Sequence, residues 1–172
     1  MSEKKTPEPK VENIVNEILA GEMQKNALDF IAFLRGNDFY MEFNPNEYEK
    51  GKWSGAIGGV VGDSIAYMFV SPGTKFPCPW NIWLNEYDFN CDGSADDEEL
   101  KEFIWANLNH CGKCNPDWEK CRGGDKTVFG RKFDSLCHSP MFFYTPDAQK
   151  LEKIKKLFLK IKQKRDSTAV PI

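Results

Sequence analysis

The chain has 172 residues, 41% of them hydrophobic and 13% aromatic, with a net charge of −3. That is enough apolar material for one core, and the slightly acidic balance argues against a general nucleic-acid binder. No run approaches the roughly 18 apolar residues of a membrane span, and the charged start has no apolar leader stretch, so a cytoplasmic protein is the expectation.

Residues 1–10 read as a disordered tail, 11–165 as a single domain and 166–172 as a second tail. Val11, Ile14, Val15, Ile18 and Leu19 recur at helical spacing, ended by Gly21. A second helix carries Met23, Ala27, Leu28, Ile31 and Leu34 on one side, with Gly36 as its achiral stop. Phe39 to Phe43 then reads as a strand. Trp53 to Val61 and Ser64 to Val70 read as a hairpin around Gly62-Asp63, with Ile65, Tyr67 and Phe69 alternating against Ala66, Met68 and Val70. The glycines at 55, 58, 59 and 62 match no phosphate-binding loop.

Trp80 to Leu84 reads as a further strand, and Asp96 to Asn109 as a helix capped by Asp96 or Ser94, with Leu100, Phe103, Ile104 and Leu108 inward. A short hairpin, Thr127–Phe129 and Arg131–Phe133, turns at Gly130, and Met141 to Tyr144 is a strand. Thr145, Pro146 and Asp147 open the last helix as cap, first and second residue, and Leu151, Ile154, Leu157, Phe158 and Ile161 form its apolar stripe. The order predicts an α+β fold: an antiparallel sheet of about five strands packed with N-terminal, central and C-terminal helices, plus a cysteine-rich loop.

Four of the six cysteines fall in that loop: Cys111, Cys114, Cys121 and Cys137. Two cysteines two residues apart can present both sulfurs to one ion through a tight turn, so the window predicts a structural zinc, with His110 or His138 as substitute ligands. The segment between them, with Asn115-Pro116-Asp117 and Arg122-Gly123-Gly124-Asp125, supplies little core, and metal ligation would hold it. A thiol redox enzyme using Cys111 and Cys114 is the alternative. Against it, the pair follows a helix C-terminus, whereas a reactive thiolate wants a helix N-terminus. Free or disulfide-bonded cysteines without metal are the third reading, and Cys78 and Cys91, outside the window, read as buried thiols.

Asp88 to Glu99 satisfies the spacing of a calcium loop, with Asp88, Asn90, Asp92 and Glu99 as oxygen ligands and Gly93 at the turn. The loop has no second copy to pair with, Ala95 stands where a branched apolar residue is usual, and the entering segment Trp80 to Leu84 resembles a strand. An acidic turn feeding a helix N-terminus is therefore the preferred reading and calcium the alternative.

From Asp147 to Ile172 eight basic residues face three acids, a local charge of +5 against −8 elsewhere. Lys150, Lys153, Lys155, Lys156, Lys160, Lys162, Lys164 and Arg165 spread around the helix without interleaved aromatics, which reads as a solvated face. Glu42, Glu47 and Glu49 offer carboxylates on a strand edge and loop, also solvated, and two histidines give hydrolase chemistry little material. The aromatics of the strands are mostly core. Trp53, Tyr67, Trp80 and Trp83 form a candidate ligand pocket, since aromatic walls suit a small molecule.

Five stretches together (Ala27 to Arg35, Trp80 to Trp83, Cys111 to Cys114, Phe129 to Phe133 and Cys137 to Pro140) resemble a group of small uncharacterised bacterial α+β proteins. The resemblance implies a variable acidic turn at 88–99, leaves a sensor or ligand-binding role open, and carries no established activity. The combined expectation is a non-enzymatic binding or regulatory module with a small-molecule or protein partner.

Overall fold

A computed structural model describes residues 10–44, 53–59, 64–72, 78–85, 97–111 and 123–168. Two helices open the chain, α1 (Val11–Ile18) and α2 (Gly21–Gly36). Strands β1 (Tyr40–Phe43), β2 (Trp53–Gly58), β3 (Ser64–Val70) and β4 (Trp80–Leu84) follow, then α3 (Glu98–Asn107). The hairpin strands β5 (Gly124–Val128) and β6 (Arg131–Leu136), β7 (Phe142–Tyr144) and α4 (Ala148–Thr168) complete the order. This is the expected α+β architecture: a five-stranded antiparallel sheet ordered β1-β2-β3-β4-β7, with β5 and β6 as a separate two-stranded sheet.

The helix stripes bury as their 3.6-residue spacing predicts. Leu151, Ile154, Leu157, Phe158 and Ile161 of α4 are all at most 1% exposed, and Ala27, Phe30, Ile31 and Leu34 of α2 share that core. Phe30 joins three elements: it meets Phe158 edge-on at 5.4 Å between ring centroids and Trp80 at 6.5 Å. Phe103 of α3 stacks on Phe143 of β7 at 5.8 Å. Each such aromatic pair adds about 0.5–1.5 kcal/mol beyond the area it buries.

Helix ends differ from the expected caps. Gly36 is the last helical residue of α2, and the left-handed position falls two residues on, at Asp38 (φ 57°). Asp38 N–H donates to Arg35 O at 3.3 Å and Phe39 N–H to Leu34 O at 2.9 Å. That six-to-one, five-to-two pair of bonds is a Schellman closure, sealed by the buried Leu34 and Phe39. The cap of α3 is Asp97, whose Oδ1 accepts from Leu100 N–H at 3.0 Å, in place of Asp96 or Ser94. At α4 the capping carboxylate is that of Asp147, accepting from Lys150 N–H at 2.8 Å. Thr145 instead extends the sheet, donating its N–H to Trp80 O at 3.0 Å. The helix itself runs on to Thr168.

The turn at Gly62-Asp63 lies outside the described residues, but its two strands pair as expected, with a register shift between Ile57 and Gly58. The second hairpin is longer than its sequence signal and turns through two positive-φ residues, Phe129 (49°) and Gly130 (78°), the geometry that matches strand twist. It leans on α3, where Trp105 Nε1–H donates to Val128 O at 2.9 Å and Arg131 lies 5.3 Å from the Trp105 ring. Among the described residues no helix is long and apolar enough to cross a membrane.

Candidate functional site

Strand register sorts the aromatic residues onto two faces. Cross-strand partners share a face, and successive residues alternate. The row Trp53–Val70–Trp80 points to the helices, as do Ile82 and Phe143. Trp53 is 3% exposed, and a Cβ on Gly55, two residues along the same face, would overlap its ring. Trp80 is fully buried.

The opposite face carries the row Ala56–Tyr67–Trp83–Phe142 and the row Ser54–Phe69–Asn81–Tyr144. Its rings touch in sequence: Tyr67 to Phe69 at 6.4 Å, Phe69 to Trp83 at 4.6 Å, Trp83 to Phe142 at 4.8 Å, Phe142 to Tyr144 at 6.2 Å. Tyr67, Phe69, Trp83 and Phe142 are half-buried and Tyr144 is exposed. The expected pocket of Trp53, Tyr67, Trp80 and Trp83 is therefore corrected. Trp53 and Trp80 belong to the core, and Tyr67 and Trp83 to a five-ring ladder whose other members are Phe69, Phe142 and Tyr144.

Polar groups lie among these rings. Asn81, 1% exposed, sits between Phe69 and Tyr144, and its Oδ1 is buried without a hydrogen-bond partner among the described residues. Ser71 N–H donates to Pro79 O at 2.8 Å, which carries the β3–β4 ladder one step further and sets Ser71 two residues past Phe69 on the same side. Its Oγ is buried and also lacks a partner among the described residues. Beside Tyr144, burial raises the Cys78 thiol above its ordinary pKa, with a hydrogen bond to Thr145 opposing it. Burial, with the nearby Cys78, raises the Tyr144 phenol, so it is a neutral donor near pH 7. Cys78 is half-buried, less enclosed than expected, and Cys91 lies outside the described residues.

Sequence reasoning missed Phe142, Tyr144, Ser71 and Asn81. One signal was available: Asn81 is the one polar residue in Trp80-Asn81-Ile82-Trp83-Leu84, and a polar residue inside a buried strand asks for a partner.

The cysteine window is described only in part, because Cys114 and Cys121 lie outside the described residues. His110 pairs with Leu136, flanked by Cys111 N–H to Ser135 O at 2.6 Å and Cys137 N–H to Asn109 O at 2.9 Å. Cys111 and Cys137 are thus diagonal neighbours on one side of a short antiparallel ladder, a relation that sets Cα atoms about 7–8 Å apart. Alternation turns His110 to the other side, and its Nδ1 is 3.0 Å from Asp134 O. His138 is exposed beside Cys137. Among the described residues no group of three or more histidine, cysteine or acidic side chains is gathered to hold a metal ion. Cys111 lies past the C-terminal end of α3 at Asn107.

Of the calcium-loop residues, Asp88, Asn90 and Asp92 lie outside the described residues. Glu99 stands in the first turn of α3 with its carboxylate 3.0 Å from Lys153 Nζ, and the element before the loop is strand β4, where a calcium hand has a helix. Glu42 is exposed on edge strand β1, and Glu47 and Glu49 fall outside the described residues. The α4 lysines are more engaged than a solvated face. Lys155 bridges Asp29 and Glu152, Lys153 reaches Glu99, and Lys162 Nζ donates to Asn37 O at 2.6 Å.

The fold and the ring ladder define the class, an α+β domain with one aromatic sheet face. No protein-family model, curated protein or solved structure matches the chain.

Proposed function

We propose that this protein is a binding module that receives an apolar or aromatic partner on the ring-bearing face of its sheet. The observation that supports the reading is the unbroken run of five rings, joined by four contacts, from Tyr67 to Tyr144, on the face opposite Trp80 and Phe143. Half-exposed aromatics with a few convergent polar groups are what a small-molecule surface requires, since the rings supply area and the polar atoms orientation. The environmental probe 8-anilino-1-naphthalenesulfonate tests it. Saturable binding by the folded protein, lost in the double variant Trp83→Ser/Phe142→Ser, is expected. No binding, or binding unchanged in that variant, refutes the reading.

The reading includes a structural zinc held by Cys111, Cys114, Cys121 and Cys137. Its support is the cysteine spacing together with the diagonal relation of Cys111 and Cys137. Two thiolates so related need only converge to Zn–S distances of about 2.3 Å. Metal analysis of protein prepared without chelator should give one zinc per chain, lost in Cys137→Ser. Zinc-free protein with a native spectrum rejects it.

A further inference from the structure

The ring-bearing face has a polar floor in which two oxygen atoms have no hydrogen-bond partner among the described residues. Asn81 lies between the flanking positions of Phe69 and Tyr144, 1% exposed, with Oδ1 unpartnered among the described residues. Ser71, 7% exposed, sits diagonally from it across β3 and β4, and its Oγ is likewise unpartnered. A buried polar atom without a partner costs free energy that neither an apolar side chain nor a surface one would incur. Trp80 Nε1 is also buried and without a partner among the described residues, but Trp80 faces the helices and is sealed in the core. Asn81 and Ser71 are on the side where the rings are still partly open.

Resting on the binding reading above, we propose that this face binds a small molecule that joins a flat ring to an N–H donor. The ring lies against Phe69, Trp83 and Tyr144, and the donor reaches Asn81 Oδ1 with Ser71 Oγ beside it. The chemistry selects this class over its opposite. A ligand offering only an acceptor could take the Ser71 O–H but would leave Asn81 Oδ1 unsatisfied, and an anion would lie against the negative faces of the rings. A donor nitrogen satisfies the orphaned acceptor, and its electropositive hydrogens suit the surrounding π-faces.

Benzamide and acetophenone test this directly, because they share a ring and a carbonyl and differ by an amino group against a methyl. Each is titrated into the 15N-labelled full chain, following the Trp83 indole and Asn81 carboxamide signals. Benzamide is expected to bind at least about fivefold more tightly, the value of one neutral hydrogen bond. Asn81→Leu, which keeps the rings, is expected to bind both probes alike. Equal affinity for the two probes in the natural protein overturns the donor assignment while leaving the binding face intact. So does a preference for benzamide that survives in folded Asn81→Leu. If neither probe moves the Trp83 indole signal, the binding face itself is rejected, and the donor assignment falls with it. The ratio measured on the natural protein decides the matter even if Asn81→Leu fails to fold.

Discussion

The rings of Phe69 and Trp83 lie 4.6 Å apart, tilted by 47°, across the β3–β4 ladder, while Trp80, three residues before Trp83, is fully buried on the other face beside Phe30. One short strand thus divides its two tryptophans between core and surface. Trp80→Ala should cost about 3–5 kcal/mol, as expected for a large cavity among α2, α4 and the sheet. Trp83→Ala should cost about half as much, because its ring is already partly in water. Urea unfolding of the two variants checks the sorting, and equal losses would contradict it.

Asp38 holds the left-handed position of the α2 closure at φ 57°, where a side chain is strained. Asp38→Gly keeps the Phe39 to Leu34 bond and removes that strain. The expected gain is about 0.5–1 kcal/mol, less than for a bulkier residue because aspartate tolerates this region. A rise in the thermal midpoint is the readout, and a fall would mean that the Asp38 carboxylate stabilises the closure more than its backbone strain costs.

Lys155 ties α4 to α2 through Asp29 and is braced by Glu152 at 2.8 Å. Burial works against its charge, but the hydrogen bonds to Asp29 and Glu152 outweigh that and raise its pKa above the ordinary lysine value. A raised folded pKa means that the folded state holds the proton more tightly. The stabilisation is then complete below the unfolded value of about 10.4 and is lost as pH rises through the folded value. Lys155→Met keeps the aliphatic stem, so the stability gap between it and the natural protein should be constant near pH 7 and close at strongly alkaline pH. A gap independent of pH would show that packing, not charge, holds the two helices.

Asn81→Leu should stabilise the unliganded fold by about 1 kcal/mol, because it replaces a buried carboxamide whose Oδ1 has no partner among the described residues with an apolar group of similar size. Chemical denaturation without any ligand reads this directly. Destabilisation would mean that water or the backbone satisfies the amide in solution.

The helices were legible in the sequence because their signal is local. Leu151, Ile154, Leu157, Phe158 and Ile161 announce a buried stripe through spacing alone, and all five are buried. The strands were legible as well: Trp80 to Leu84 has the bounds its sequence indicates, and the antiparallel order follows from short connections. The caps were less so, since Asp38, Asp97 and Asp147 compete with neighbours of equal propensity and one hydrogen bond decides among them.

The candidate site was only half legible. A strand alternates with period two, so the sequence by itself determined that Trp80 and Trp83 point in opposite directions. It could not determine which of Trp53 and Tyr67, on other strands, shares a face with either. That depends on register across β2, β3 and β4, on pairings between residues far apart in the chain, and on which side the helices cover. The tertiary structure alone decided that Trp53 joins Trp80 in the core, that Tyr67 joins Trp83 in the ring ladder, and that Asn81 lies beneath the rings with its carboxamide oxygen unpartnered among the described residues.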